Sequence, residues 1–245
     1  MLNINSISKS YGDVTAVQDL TFSAGENSIT TLLGANGSGK TTTLRIIAGL
    51  ISPDQGSVSL NGYDVESHTL EARKQLGIFP DQFGLYQRLT VVEHLDYFGS
   101  LHGLKDENLR KAIENTVQIL EMEDIADRRC EGFSQGQRMK VALGRAFVHS
   151  PKVLVLDEPT RGLDIFNVRL LRQLLRNLRD KGVCILMSCH VMAEIEDLSD
   201  KVVFIANGQK KAEGSPKELI EKSGASNLEE AFVKYVTDIG GGNVG

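Results

Sequence analysis

The stretch Gly34-Ala35-Asn36-Gly37-Ser38-Gly39-Lys40-Thr41 satisfies every constrained position of G-x-x-x-x-G-K-[ST]. Its chemistry points to a phosphate trap. Glycines let the backbone turn its N–H groups inward at φ values that a Cβ penalises. Lys40 supplies a point positive charge for β- and γ-phosphates, and the Thr41 hydroxyl is a ligand for Mg²⁺. A helix following the loop adds its unpaired N-terminal N–H groups and its dipole. The flanks have the required order. Thr30-Thr31-Leu32-Leu33 reads as a short buried strand, and Thr42-Thr43-Leu44-Arg45-Ile46-Ile47-Ala48 as a helix closed by Gly49. Gly34, Asn36, Gly37, Ser38, Gly39, Lys40, Thr41 and Thr42 are therefore the expected contacts of a nucleotide's phosphates.

A second stretch, Val153-Leu154-Val155-Leu156-Asp157-Glu158, reads as a buried strand ending in two carboxylates. Asp157 is expected in the Mg²⁺ shell, directly or through water. Glu158 is placed to orient an attacking water and take its proton.

Outward from these stretches, 245 residues suffice for one large α/β domain with a subdomain. With 41% apolar and 24% charged residues the composition is that of an ordinary globular protein. A formal net charge of −5 argues against broad electrostatic binding of nucleic acid, so no nucleic-acid partner is expected. Cys130, Cys184 and Cys189 are too few for a disulfide framework and fit no common zinc spacing, which favours a reduced cytosolic compartment. Met1 to Asp13 holds no apolar signal core, and no window approaches 18 uninterrupted apolar residues. The expectation is a chain that does not cross a membrane by itself.

The first ~30 residues alternate polar and apolar positions, as a half-buried antiparallel strand does. Asn61-Gly62 and Asn207-Gly208 are hairpin turns, and suggest antiparallel strands added to a parallel nucleotide-binding core. The middle, from about residue 84 to 150, is helical. There Thr90-Val91-Val92-Glu93 is a capping box, Leu109, Ile113, Val117 and Leu120 share one face, and a further helix follows residue 136 up to Pro151. β/α alternation then returns, with a helix over 165–181 and a strand over 183–187. The glycine-rich tail, 240–245, is expected to be unstructured.

Phe133-Ser134-Gln135-Gly136-Gln137 resembles the signature loop of ABC-type ATPases, usually Leu-Ser-Gly-Gly-Gln. The order of motifs is also similar to that family's: Tyr11, the phosphate loop, Gln82, the signature, Asp157-Glu158, Gly162-Leu163-Asp164 and His190. The resemblance covers residues 1 to roughly 220. It implies a P-loop NTPase core, a mostly parallel sheet flanked by helices, with an N-terminal antiparallel β subdomain and an inserted α-helical subdomain at about 84–150. A single nucleotide-binding domain over 1–220 and a short C-terminal helix with the tail over 221–245 would complete the chain.

By the same resemblance the cofactors are ATP and Mg²⁺. Tyr11 resembles the aromatic that stacks on adenine, and Gln82 the glutamine that touches Mg²⁺ or water and senses a membrane partner. His190 resembles the switch histidine that contacts the γ-phosphate and holds Glu158 in place. The catalytic set so implied is Glu158, His190, Gln82 and Lys40, with Thr41, Gln82 and Asp157 toward the metal. Ser134, Gly136 and Gln137 would close over the ATP of a second ATP-binding subunit, so that a homodimer holds two complete sites. Asp164 resembles an aspartate that crosses this interface, and it equally suits a helix cap before Ile165. Two residues depart from the pattern. Phe133 replaces Leu, and Gln135 replaces a glycine, where a side chain would crowd the site if the backbone needed a positive φ. Cys189, just before His190, reads as a small neutral filler.

The compact length and the segments 79–86 and 133–143 are similar to ABC-2-type exporter cassettes, in particular sodium-extrusion ATPases. That implies an ATPase peripheral to the cytoplasmic face of the cell membrane, acting through a separate integral-membrane subunit, with sodium or another small cargo. Residues 83–104, including Phe83, Leu85, Tyr86 and Leu89, are candidates for that contact, or equally for subdomain core. Two other readings stay open: an ABC ATPase outside transport, and a nucleotide-dependent regulator that does not hydrolyse.

Overall fold

The computed structural model describes residues 1–237, so the expected unstructured tail at 240–245 lies outside the described residues. The chain opens with β1 (Leu2–Tyr11), β2 (Val14–Ala24) and β3 (Ser28–Leu33), then α1 (Lys40–Ile47). β4 (Gln55–Leu60), β5 (Tyr63–Asp64), α2 (Thr69–Lys74) and β6 (Leu76–Phe79) follow. Three helices occupy the middle, α3 (Val91–Leu101), α4 (Asp106–Ile119) and α5 (Gln135–Phe147). Alternation resumes with β7 (Val153–Leu156), α6 (Ile165–Asp180), β8 (Cys184–Cys189), α7 (Met192–Ile195) and β9 (Lys201–Ala206). β10 (Gln209–Gly214), α8 (Pro216–Ser223) and α9 (Leu228–Thr237) come last.

Two sheets result. One is four-stranded and antiparallel, in the order β2-β1-β4-β5. The other is six-stranded, in the order β10-β9-β3-β8-β7-β6, parallel throughout except for β10. The expected hairpins therefore divide. The Asn207-Gly208 turn adds β10 to the parallel sheet, whereas the Asn61-Gly62 turn joins β4 and β5 within the separate antiparallel sheet. Alternation in β1 places Leu2, Ile4 and Ile7 in the core, with a register shift between Ile4 and Ile7 where Ser6 takes φ 48°.

The parallel sheet is a middle layer with a core on each face. On one side it packs with α3, α4, α5 and α6 through residues such as Leu95, Ile113, Leu143 and Leu175. On the other, Leu32, Val155 and Leu186 pack with α1 and the antiparallel sheet. Strands buried on both faces read as continuous apolar runs, which is why β7 and β8 stood out in the sequence. The helical insert shares its core with the sheet, so it is anchored to the layer that carries the phosphate loop. Capping boxes start α3 at Thr90 with Glu93, and α5 at Ser134 with Gln137. The stretch from 221 completes α8 and forms α9, where Phe232 and Tyr235 pack on Phe204 with ring centroids 5.2 and 5.7 Å away. Among the described residues, no helix is long and apolar enough to cross a membrane.

Because β3, β6, β7 and β8 run parallel, their carboxyl ends gather at one edge. In open α/β sheets that edge is where ligands bind. β8 extends two residues past the expected Met187, pairing Ser188 and Cys189 with Leu32 and Leu33. This carries Ser188 to the same edge.

Candidate functional site

An open cavity of about 760 Å³ lies at the carboxyl edge of the parallel sheet. The loop between β3 and α1 forms its floor. Gly34 and Gly39 shape that loop for different reasons. A Cβ on Gly34 would fall 2.4 Å from both the Ile205 carbonyl and Ser38 Oγ, so the backbone passes where no side chain fits. Gly39 takes φ 105°, and a Cβ there would also lie 2.5 Å from the Ala16 carbonyl. No side chain caps the N-terminus of α1. Its first N–H groups are thus left for an anion, and Ser38 Oγ is buried with no hydrogen-bond partner among the described residues. These are features of a phosphate cradle.

Lys40 is buried, 6% exposed, and bends back over the loop. Its Nζ donates to the Gly34 and Ala35 carbonyls at 2.7 and 3.2 Å and lies 3.7 Å from Glu158 Oε1. Asp157 and Glu158 leave the end of β7 into a turn in which Glu158 takes φ 47°, a left-handed conformation that costs a side-chain-bearing residue energy. Ser188, wholly buried on β8, locks the turn: its Oγ donates to Asp157 Oδ1 at 2.7 Å and accepts from the Glu158 amide at 2.8 Å. His190 Nδ1 lies 2.5 Å from Glu158 Oε2. A half-enclosed carboxylate between an ammonium and an imidazole is equipped to take a proton from water, with the imidazole fixing its orientation.

Tyr11, Asn36, Gly37, Ser38, Gly39, Lys40, Thr41, Thr42, Gln82, Asp157, Glu158 and His190 all border this cavity. Gly34 lies beneath the loop instead. Tyr11 stands at the end of β1, 48% exposed, as a ring at the rim. Thr41, Gln82 and Asp157 place hard oxygen donors on one cavity, a set that fits Mg²⁺. Among the described residues no cluster of three or more His, Cys, Asp or Glu side chains could hold an ion. Mg²⁺ binding here would accordingly rely on phosphate and water for much of its shell.

Ser134, Gly136 and Gln137 are not brought to the cavity. They form the start of α5, where Ser134 Oγ accepts from the Gln137 amide at 3.2 Å and Gln137 Oε1 accepts from the Ser134 amide at 3.0 Å. A Cβ on Gly136 would fall 2.0 Å from Asn167 Oδ1, so this glycine lets α5 approach α6. Gln135 is the first residue of α5, without a positive φ, and its Oε1 accepts from Arg138 at 3.2 Å. The side chain is accommodated by the helix.

Asp164 caps α6. Its Oδ1 accepts from the Asn167 and Phe166 amides, each at 2.9 Å, and these bonds, led by that of Asn167, hold its carboxyl below the usual range. Cys189 is buried in the core, where its Sγ accepts from the Val191 amide at 3.3 Å. Phe83 and Leu85 pack partly buried against the helical insert, while Tyr86 is 52% exposed and stacks on His94.

Sequence reasoning missed three groups. Ser188 escaped because its strand was expected to end one residue earlier. Asp81 and Arg161 border the cavity and pair with each other at 3.1 Å. Their only sequence signal is adjacency, to Gln82 and to Gly162-Leu163-Asp164.

Residues 17–161 match the protein family described as ABC transporter. The chain is 36% identical over 238 residues to the ABC transporter ATP-binding protein NatA of Bacillus subtilis, covering 95% of this chain and 97% of that one. It is 37% identical over 232 residues to the Nod factor export ATP-binding protein I of Ralstonia nicotianae, covering 95% and 72%. A solved structure described as an ATP binding subunit of an ABC transporter superposes with a TM-score of 0.86 at 29% identity, covering 96% of this chain and 99% of that one.

Proposed function

Since the chain belongs to the ABC transporter family of ATP-binding ATPases, we propose that it is the subunit that powers an exporter through a separate integral-membrane subunit, as part of a head-to-tail dimer. One observation carries the reading. The phosphate loop, Asp157-Glu158 and His190 share one cavity, while Ser134 and Gly136 sit off it, at the head of α5. A chain holding both halves of a site, but apart, is completed by a second copy.

In the closed dimer, Lys40 and the loop amides bind the β- and γ-phosphates, and Tyr11 supports the adenine. Ser134 of the second copy and the N-terminus of its α5 add donors to the γ-phosphate. Mg²⁺, held by Thr41, Gln82 and Asp157, would neutralise phosphate charge when bound. Glu158 takes the proton of a water whose oxygen joins the γ-phosphorus as the bond to the ADP oxygen breaks. His190 and Ser188 keep Glu158 in position. Loss of the γ-phosphate removes the group that both copies hold, and the dimer reopens.

The named relatives that include an exporter component support the direction of transport, and the absence of a spanning helix among the described residues fits action through another chain. The assembly then sits at the cytoplasmic face of the cell membrane. A second cavity, of about 550 Å³, runs between the sheet and the helical insert beside the Gln82 loop. Ile78, Leu50 and Phe98 give it an apolar floor, and Arg73 and Arg145 make it basic. It suits a short helix of the membrane subunit, which would also carry the selection of sodium or another cargo.

The test is Mg·ATP hydrolysis by the purified chain beside Glu158→Gln, with oligomeric state followed by light scattering. Turnover that rises with protein concentration, lost in a variant that still dimerises with ATP, is expected. A chain that binds ATP without turnover or dimer, even with its membrane subunit, would contradict the reading.

A further inference from the structure

Two loops leave the parallel sheet side by side where β6 and β7 end, because Phe79 and Leu156 are register partners. The Asp157 amide donates to the Phe79 carbonyl at 3.0 Å, so the chains stay joined one step beyond the strands. From there the loops present opposite charges to each other. Arg161 Nη1 lies 3.1 Å from Asp81 Oδ2, across 80 residues of sequence. Asp81 immediately precedes Gln82. Arg161 closes the turn opened by Glu158, its amide donating to the Glu158 carbonyl at 3.0 Å. All four side chains border the nucleotide cavity.

We propose that the Asp81–Arg161 ion pair is a positioning strut that ties the Gln82 loop to the Glu158 turn, so that displacement of one loop moves the other. This rests on the ATPase reading given above. Folding stability is not what the pair supplies. The Arg161 side chain is 65% exposed and that of Asp81 35%, and pairs this open add little to stability. What it supplies is geometry. Glu158 holds a left-handed backbone that persists only where its surroundings over-determine it. Ser188 and His190 fix that turn from the β8 side, and Arg161 is its side-chain link toward β6. A guanidinium reaches a carboxylate directionally, so the link transmits position as well as charge. The phosphate cradle is built separately, from residues 34–42. Breaking the strut therefore spares nucleotide affinity and slows the step in which Glu158 and Gln82 must be in register.

The experiment is a double-mutant cycle on the full chain, with Asp81→Asn, Arg161→Met and both together, reading kcat and KM for Mg·ATP. Each single change is expected to lower kcat about fivefold with KM kept within about twofold, and the double variant should be no slower than the slower single one. Arg161→Lys keeps the charge without the planar fork and should recover only part of the kcat lost in Arg161→Met; a Lys variant no faster than the Met variant overturns the strut. Losses that multiply in the double variant, or a loss carried in KM, overturn the proposal. Hydrogen exchange decides the matter without turnover: Arg161→Met should speed amide exchange at both 80–84 and 158–162, with ADP as the added nucleotide. Unchanged exchange in either segment overturns the strut. A parent chain that hydrolyses nothing, yet shows this paired exchange response, faults the ATPase reading and leaves the strut standing.

Discussion

His190 Nδ1 lies 2.5 Å from Glu158 Oε2, joining the end of β8 to the turn after β7. Glu158 meets Lys40 with its other oxygen, at 3.7 Å, so one carboxylate links the histidine to the phosphate loop. Removing its basicity while keeping its shape separates chemistry from binding. Glu158→Gln should lower turnover at least about 100-fold, as loss of a general base does, with nucleotide affinity retained. Steady-state hydrolysis beside binding of a fluorescent nucleotide measures both.

Ser188→Ala removes two hydrogen bonds at once, to Asp157 Oδ1 and from the Glu158 amide. Ser188 is fully buried, so the orphaned amide has no easy route to water. A destabilisation of about 2 kcal/mol is expected in denaturant unfolding. Turnover should fall further than the remaining folded fraction explains, because the left-handed Glu158 loses its anchor.

Gly39→Ala should abolish nucleotide binding while the fold persists. The new methyl would meet the Ala16 carbonyl at 2.5 Å in a backbone with φ 105°. Relief requires the loop to move, and the loop is the cradle. Calorimetric titration with Mg·ATP, beside far-ultraviolet circular dichroism, checks both halves of the claim.

His102 and His149 stack with ring centroids 3.5 Å apart, between the end of α3 and the start of β6, where His149 Nε2 meets the Leu76 carbonyl at 3.0 Å. Burial pushes His149 down from 6.5 to about 4, with the neighbouring His102 adding to it. An imidazole with a lowered native pKa takes its proton more readily when unfolded. Its contribution to stability is thus present above about pH 6.5 and is lost as pH falls toward 4. Unfolding free energy should decline between pH 7 and pH 5, and His149→Gln should flatten that decline. Equal slopes for the two proteins would refute the assignment.

Legibility in the sequence followed the range of the interactions. The phosphate loop, the Asp157-Glu158 strand end and the capping box at Thr90 are contiguous, so residue type and spacing carried them. The Asn61-Gly62 hairpin was visible, but its membership of a separate antiparallel sheet was not, because pairing of β4 with β1 joins residues some 55 positions apart. Ser188 was hidden by a strand that continues while its apolar pattern ends. Asp81 and Arg161 meet only through the register of β6 and β7. The signature residues were legible as a motif, and their distance from the cavity was a matter of how α5 packs.

The central claim is that a site on one copy is completed by Ser134 of another. Lys40→Ala and Ser134→Glu, each inactive alone, should be mixed as full-length chains with Mg·ATP and assayed for turnover. Half of the dimers would then be mixed, each with one intact site, so about a quarter of the parent activity should return. A mixture that stays silent although light scattering shows mixed dimers, or a Ser134→Glu chain as active as its parent, would contradict the account.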